Sequence, residues 1–188
     1  MQYPDLDEHF VSTQTLATGK LLTLHCDEVR LPNGHLSQRE YVTHPGAVVI
    51  IPLLANGNVL LVRQFRYPLN QVFIELPAGK IDNNEDYAST GPRELREETG
   101  YSATDWVYLG RQHPCIGYSN EVIHMYLARK LTAGKHQLDA DEALQVFELD
   151  FAESLNLIAR GEITDGKTII ALLRTEKYLQ AELGKDHG

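Results

Sequence analysis

Apolar and polar positions change period along the chain. Residues 21–30 alternate as a strand does, Pro32-Asn33-Gly34-His35 carries turn chemistry, and Leu36–Thr43 reads as the returning strand. Residues 46–54 form a β-rich, nearly continuous apolar run. Asn56-Gly57 then predicts a turn into 59–65, so these two runs are expected to form a hairpin. A short strand over 72–76 is stopped by Pro77. Residues 86–99 differ: they are charged, lack a long β-branched run, and precede Gly100 where a helix C-cap belongs. Pro92 lies within this stretch. A proline in a helix interior costs about 3 kcal/mol, so the regular helix is expected to begin or bend there, with Ser89 or Thr90 as cap. Strands are predicted again at 106–110, 122–128 and 144–149. Two helical patterns follow, 151–160 and 167–183, the second gathering Ile169, Ile170, Leu172, Leu173 and Leu179 on one apolar face. Strands, a helix, more strands and then helices imply an α+β fold with mixed sheets rather than a doubly wound one.

Glu94, Glu97 and Glu98 stand at i, i+3 and i+4, which places them on one helix face. Their mutual repulsion and their place near the helix C-terminus both work against the arrangement. A hard cation reverses the sign, because Mg²⁺ prefers carboxylate oxygens and keeps room for water and phosphate oxygens. Taken alone, the three also suit a solvated charged face.

The surrounding residues decide between these readings. Gly79, then Glu85 after five residues, then Arg93-Glu94-Leu95-Arg96-Glu97-Glu98-Thr99-Gly100 resembles the Nudix box at every fixed position. Tyr101 in the last apolar place and Gly91-Pro92 in the helix depart from the usual pattern. The resemblance implies a Nudix fold, with mixed β-sheets sandwiched by helices, and Glu94 and Glu98 as metal ligands with Glu97 close by. It implies that the Ala78 carbonyl adds to the metal shell and that Glu85 pairs with Arg93. Arg39-Glu-Tyr-Val-Thr-His-Pro-Gly, Arg63-Gln-Phe-Arg66 and Glu75-Leu-Pro-Ala-Gly79 resemble the ADP-ribose pyrophosphatase branch, as does Pro114-Cys-Ile-Gly-Tyr-Ser-Asn-Glu121. By that resemblance the activity is Mg²⁺-dependent hydrolysis of ADP-ribose to AMP and ribose 5-phosphate, with Mn²⁺ as the alternative metal. Arg66 is the expected diphosphate contact, since a guanidinium fork matches phosphate oxygens; Arg39 and Glu121 are further substrate candidates. Glu142, in the acidic stretch before the strand at 144, is the expected general base, with Asp141 and then Glu97 next. His44, His113 and His124 are read as packing or hydrogen-bonding residues. A GDP-mannose or other nucleoside-diphosphate-sugar hydrolase is the alternative enzyme, and a catalytically weak nucleotide-sugar sensor the alternative class.

Length and charge narrow the picture further. With 188 residues the chain suits one domain with a small addition. Residues 1–45 are expected to form an antiparallel β-extension used for dimerisation and for the substrate site, and 46–188 the Nudix domain. An isolated hairpin cannot bury both faces, and the resemblance implies a homodimer. A net charge of −9 argues against nucleic acid as partner, while a metal still lets an acidic site hold a pyrophosphate. No apolar run approaches a membrane span, the first residues lack a signal pattern, and Cys26 and Cys115 have no metal-like spacing. The expected setting is cytoplasmic.

Overall fold

The computed structural model describes residues 6–134 and 143–185. They fall into two compact units. One runs up to Pro45 and includes His113–Glu121; the other comprises Gly46–Gln112 and the chain from Val122 onward.

The first unit is an antiparallel sheet in the order β1 (His9–Thr18), β2 (Thr23–Arg30), β3 (Leu36–Thr43). The β2–β3 turn forms at Pro32-Asn33-Gly34: Asn33 Oδ1 accepts the His35 N–H and Gly34 takes φ 88°. β1 has no counterpart among the predicted strands. Register shifts at Phe10/Ser12 and Thr15/Ala17 interrupt its pairing with β2, so its side chains do not keep a period of two. All ten of its residues are exposed, Phe10 and Leu16 among them. The segment His113–Glu121 joins this unit through the Val42 N–H to the Tyr118 carbonyl and the His44 N–H to Asn120 Oδ1.

In the second unit the chain runs β4 (Ala47–Pro52), β5 (Asn58–Arg66), β6 (Gln71–Glu75), β7 (Ala78–Lys80), α1 (Tyr87–Thr99), β8 (Tyr101–Gln112), β9 (Ile123–Ala133), β10 (Leu144–Asp150), α2 (Phe151–Ala159) and α3 (Gly166–Lys185). One sheet has the order β10-β5-β6 and is antiparallel; the other, β7-β4-β9-β8, is mixed because β4 and β9 run parallel. The apolar run of β4 serves two cores, since successive side chains point to opposite faces. Val49 and Ile51 join β5, β9, α2 and α3 in the larger core; Val48 and Ile50 meet Leu95 of α1 in the smaller one. Among the described residues no helix is long and apolar enough to cross a membrane.

Three local expectations need correction. Asn56-Gly57 does turn the chain, with Gly57 at φ 86°, but β4 and β5 do not form a hairpin. They enter different sheets, and just past β4 the chain meets the start of β5 through the Leu53–Val59 bridge and the Leu54 N–H to the Asn58 carbonyl, because each strand is completed by a distant partner. Leu173 leaves the buried face of α3 and is 43% exposed. The contact face follows Thr168, Ala171, Leu172 and Thr175, one step of rotation away.

The third correction concerns the start of α1. The helix begins five residues before Pro92, and its N-cap is Asp86, whose Oδ1 accepts from the Ser89 N–H at 2.8 Å and the Ser89 hydroxyl at 2.7 Å. Pro92 is tolerated inside because it and Ala88, whose carbonyl loses an amide partner, both face solvent. Gly100 closes the helix in the left-handed region at φ 77°. Pro92→Ala restores that amide donor on an exposed face. It should raise unfolding free energy by about 1 kcal/mol or more in urea denaturation; an equal or lower stability would show that the proline's fixed φ contributes more than the bond it removes.

Candidate functional site

α1 turns Thr90, Gly91, Glu94, Leu95, Glu98 and Thr99 inward. Glu94 and Glu98 are therefore one turn apart on the buried face, 8% and 3% exposed. Burying an ionised carboxylate costs several kcal/mol unless it is paired and hydrogen-bonded. Glu98 Oε2 accepts the Ala78 N–H at 3.1 Å. Glu94 lies over Gly79, and a Cβ there would overlap its carboxylate, so a larger residue at this position would displace the Glu94 carboxylate from where it now sits.

Arg93 ties the carboxylates together. Its Nε and Nη2 donate to the two Glu85 oxygens at 3.0 and 2.8 Å, and Nη2 also reaches the Lys80 carbonyl at 3.1 Å. Nη1 donates to Glu94 Oε1 at 2.8 Å and to Glu97 Oε2 at 2.9 Å. These bonds, that to Glu85 foremost, hold the guanidinium proton more tightly than usual, and the same bond holds the Glu85 carboxyl below the ordinary range. Three carboxylates are thus bonded to one guanidinium. Among the described residues no three His, Cys, Asp or Glu side chains are gathered as a ready-made metal cage: Arg93 draws Glu94 and Glu97, and Glu98 turns to Ala78. The donor set nevertheless suits a hard divalent cation, with buried carboxylate oxygens in excess beside a backbone segment.

Arg66 ends β5 and is bidentate to Glu75 on β6, Nε to Oε1 at 2.7 Å and Nη2 to Oε2 at 2.6 Å. Glu75 is 2% exposed, whereas the Arg66 side chain is 41% exposed. Lys167 Nζ also bonds Glu75 Oε2 and reaches Asp165 Oδ2 at 2.9 Å. Asp165 accepts the Thr168 N–H and hydroxyl, and Thr168 Oγ1 accepts the Leu76 N–H at 2.9 Å. Glu75 entered the sequence reading only as part of a motif, and Asp165, Lys167 and Thr168 not at all. A faint signal was available: Lys167 is a cation in the first turn of α3, where the macrodipole disfavours it.

The remaining sequence candidates are placed as follows. Arg39 and Glu121 belong to the first unit. Arg39 pairs with Glu8, Nε to Oε2 at 2.9 Å, and also donates to Ser37 Oγ and the Gln38 carbonyl. Glu121 Oε1 stands 3.6 Å from His44 Nδ1. His113 is exposed in the same unit. His124, in the second unit, is stacked on Tyr87 with ring centroids 4.0 Å apart and meets Tyr108 Oη at 3.0 Å. Burial and then Arg111 push its pKa down. Glu142 and Asp141 lie outside the described residues.

Burial alone would push the Glu75 carboxyl up. The hydrogen bonds from Arg66 and the Lys167 charge more than offset this and hold it below the ordinary range. A carboxyl depressed on folding contributes stability above its unfolded pKa and loses it as pH falls through the folded value. Wild-type stability should therefore decline from about pH 4.5 downward. Glu75→Gln should be less stable at neutral pH and lose less on acidification, as read from urea midpoints between pH 3 and 7. Parallel pH profiles for the two proteins would remove Glu75 from this role.

Comparison with known proteins agrees with this geometry. The NUDIX domain matches residues 43–172, and the nucleoside diphosphate sugar hydrolase N-terminal domain matches 8–42. The chain is 36% identical to an ADP-ribose pyrophosphatase of Bacillus subtilis (strain 168), over 94% of this chain and 98% of that protein. It is 37% identical to a methanol dehydrogenase activator of Bacillus methanolicus, over 96% and 97%. A crystal structure of an ADP compounds hydrolase superposes with a TM-score of 0.85 at 22% identity, covering 94% of this chain and 97% of the other, which establishes the shared fold. With the family pattern spanning most of its length and the box carboxylates folded onto one inward helix face, the chain belongs to the Nudix hydrolase family.

Proposed function

We propose that this protein hydrolyses the pyrophosphate bond of a nucleoside-diphosphate-linked sugar, with ADP-ribose, yielding AMP and ribose 5-phosphate, as the leading substrate. The observation that carries the reading is the buried Glu94–Glu98 pair on one helix face, with Glu94 drawn together with Glu85 and Glu97 by a single guanidinium. The near full-length match to an ADP-ribose pyrophosphatase and the nucleoside diphosphate sugar hydrolase domain at the N-terminus support the substrate class. GDP-mannose is the alternative substrate. Turnover of ADP-ribose, GDP-mannose, ADP-glucose and NADH, compared by product, tests the assignment.

Nudix hydrolases generally require a divalent metal such as Mg²⁺. In this chain Glu94, Glu98 and the Ala78 carbonyl would hold it, with Glu97 adjacent. When bound, Mg²⁺ supplies charge neutralisation to the diphosphate and acidifies a water. Arg93 and Glu85 brace the carboxylates. Arg66 offers the diphosphate the guanidinium edge that Glu75 leaves open. Arg39 and Glu121 are retained as substrate contacts and Glu142 as general base, on sequence position alone. A separate base is useful because carboxylates committed to a metal are poor proton acceptors.

Glu98→Gln keeps the shape and removes the charge; with Mg²⁺ its turnover should fall by orders of magnitude while its thermal midpoint changes little. Glu142→Gln should lower turnover by roughly 100-fold or more with KM nearly unchanged. Wild-type rates in the first variant would sink the metal assignment. A loss in Asp141→Asn but not in Glu142→Gln would move the base to Asp141.

The β1–β3 sheet also supports a homodimer. β1 is exposed along its whole length, with Phe10 at 65%, and a thin sheet needs a second surface to cover it. Sedimentation at micromolar concentration should give twice the chain mass. A fully active monomer would overturn this reading, together with the proposal that residues near Arg39 reach the partner's site.

A further inference from the structure

The geometry points to Lys167 as a positioning residue for phosphate recognition: by engaging Glu75 it fixes the Arg66 guanidinium plane toward the adjoining cavity. The inference rests on the reading of Arg66 as the diphosphate contact.

The cavity, of about 250 Å³, is lined by Arg66, Phe73, Glu75, Asp165 and Lys167, among others. Glu75 is the only one of these charged groups sealed from solvent, and both of its oxygens are used. Oε1 receives Arg66 Nε; Oε2 receives both Arg66 Nη2 and Lys167 Nζ. A guanidinium has five N–H donors in one plane. Two are directed at Glu75, so the other three point away from it, and the Arg66 side chain as a whole stays 41% exposed and lines the cavity.

A carboxylate held only by Arg66 would be free to rotate about its own terminal bond and carry the guanidinium with it. Lys167 removes that freedom by holding Oε2 from the other direction. Its ammonium is itself aimed by Asp165, two residues away at the start of α3. The two cations of this corner, Arg66 and Lys167, are matched by the two carboxylates Glu75 and Asp165, so what Lys167 contributes is position rather than net charge.

The attachment of α3 to this corner does not depend on the lysine. Thr168 Oγ1 accepts the Leu76 N–H independently, and Leu172 and Ala171 pack in the larger core. Packing therefore does not account for a cation in the first turn of the helix, against the macrodipole; Glu75 does.

The test is a double-mutant cycle on the full-length protein with Mg²⁺ present. Binding of an ADP-ribose analogue with a methylene bridge in place of the pyrophosphate oxygen is measured by calorimetry. Lys167→Met keeps the stem and removes the charge; it should weaken binding about tenfold, with Lys167→Arg restoring most of the affinity. In an Arg66→Ala background, Lys167→Met should weaken binding no further, because a residue that acts through Arg66 has nothing left to act on. In parallel, NMR of the Arg66 side chain should show hindered rotation about Nε–Cζ in wild type and in Lys167→Arg, and free rotation in Lys167→Met. Unchanged affinity, or an Arg66 still locked in Lys167→Met, overturns the proposal. So do multiplicative losses in the double variant, which would make Lys167 a direct ligand. Failure of the wild-type protein to bind the analogue instead counts against the substrate reading, and the NMR comparison still judges the positioning role.

Discussion

Burial of Glu94 and Glu98 one turn apart on α1 is the constraint to which the rest of the second unit answers. Two carboxylates in that position repel each other and lose their water. Relief comes from the Ala78 N–H on Glu98, from Arg93 Nη1 on Glu94 within the helix itself, and from a close approach of the strand at Gly79. Arg93 is in turn anchored by Glu85 and the Lys80 carbonyl. The segment from Ala78 to Glu98 thus behaves electrostatically as one object, short of positive charge by design of its residue types. Chemistry at a diphosphate calls for such a deficit, since a hard divalent cation takes carboxylate and carbonyl oxygens as its ligands.

Much of this was legible in the sequence because it is local. Spacing alone put Glu94 and Glu98 on one face, and Gly100 at the helix end. What the sequence concealed was of three kinds. β1 was hidden because two register shifts break its alternation. The pairing of β4 and β5 was misread because a turn signal fixes the direction of the chain and not its hydrogen-bond partners; those are β9 and β7 for one strand, β6 and β10 for the other. Pro92 misled because its cost depends on whether the orphaned Ala88 carbonyl meets solvent, and exposure is a tertiary property.

The site was read unevenly for the same reason. Arg66 was found through its motif, but the group that aims it lies 92 positions from Glu75 and looks, in sequence, like an ordinary helix lysine. Arg39 illustrates the converse. Its motif suggested a substrate contact, and within its own unit it is engaged by Glu8, Ser37 and the Gln38 carbonyl. A guanidinium so held would have to exchange one set of oxygens for another to meet a phosphate, which sets it apart from Arg66, whose open edge needs no such exchange.

The parallel pairing of β4 with β9 has a consequence for how the protein comes into being. Ala47 lies opposite Ile123, 76 positions later in the chain, and β5, β6, β7, α1 and β8 are all made in between. A chain leaving the ribosome therefore presents α1, with its carboxylates, well before the strand that fills the middle of the sheet beneath it. During that interval β8 has no neighbour within its sheet. Insertion of β9 joins β4 to β8 and completes the smaller core with Ala128. The loop-closure entropy of the whole sheet then falls on one long-range pairing, the kind of contact that slows folding.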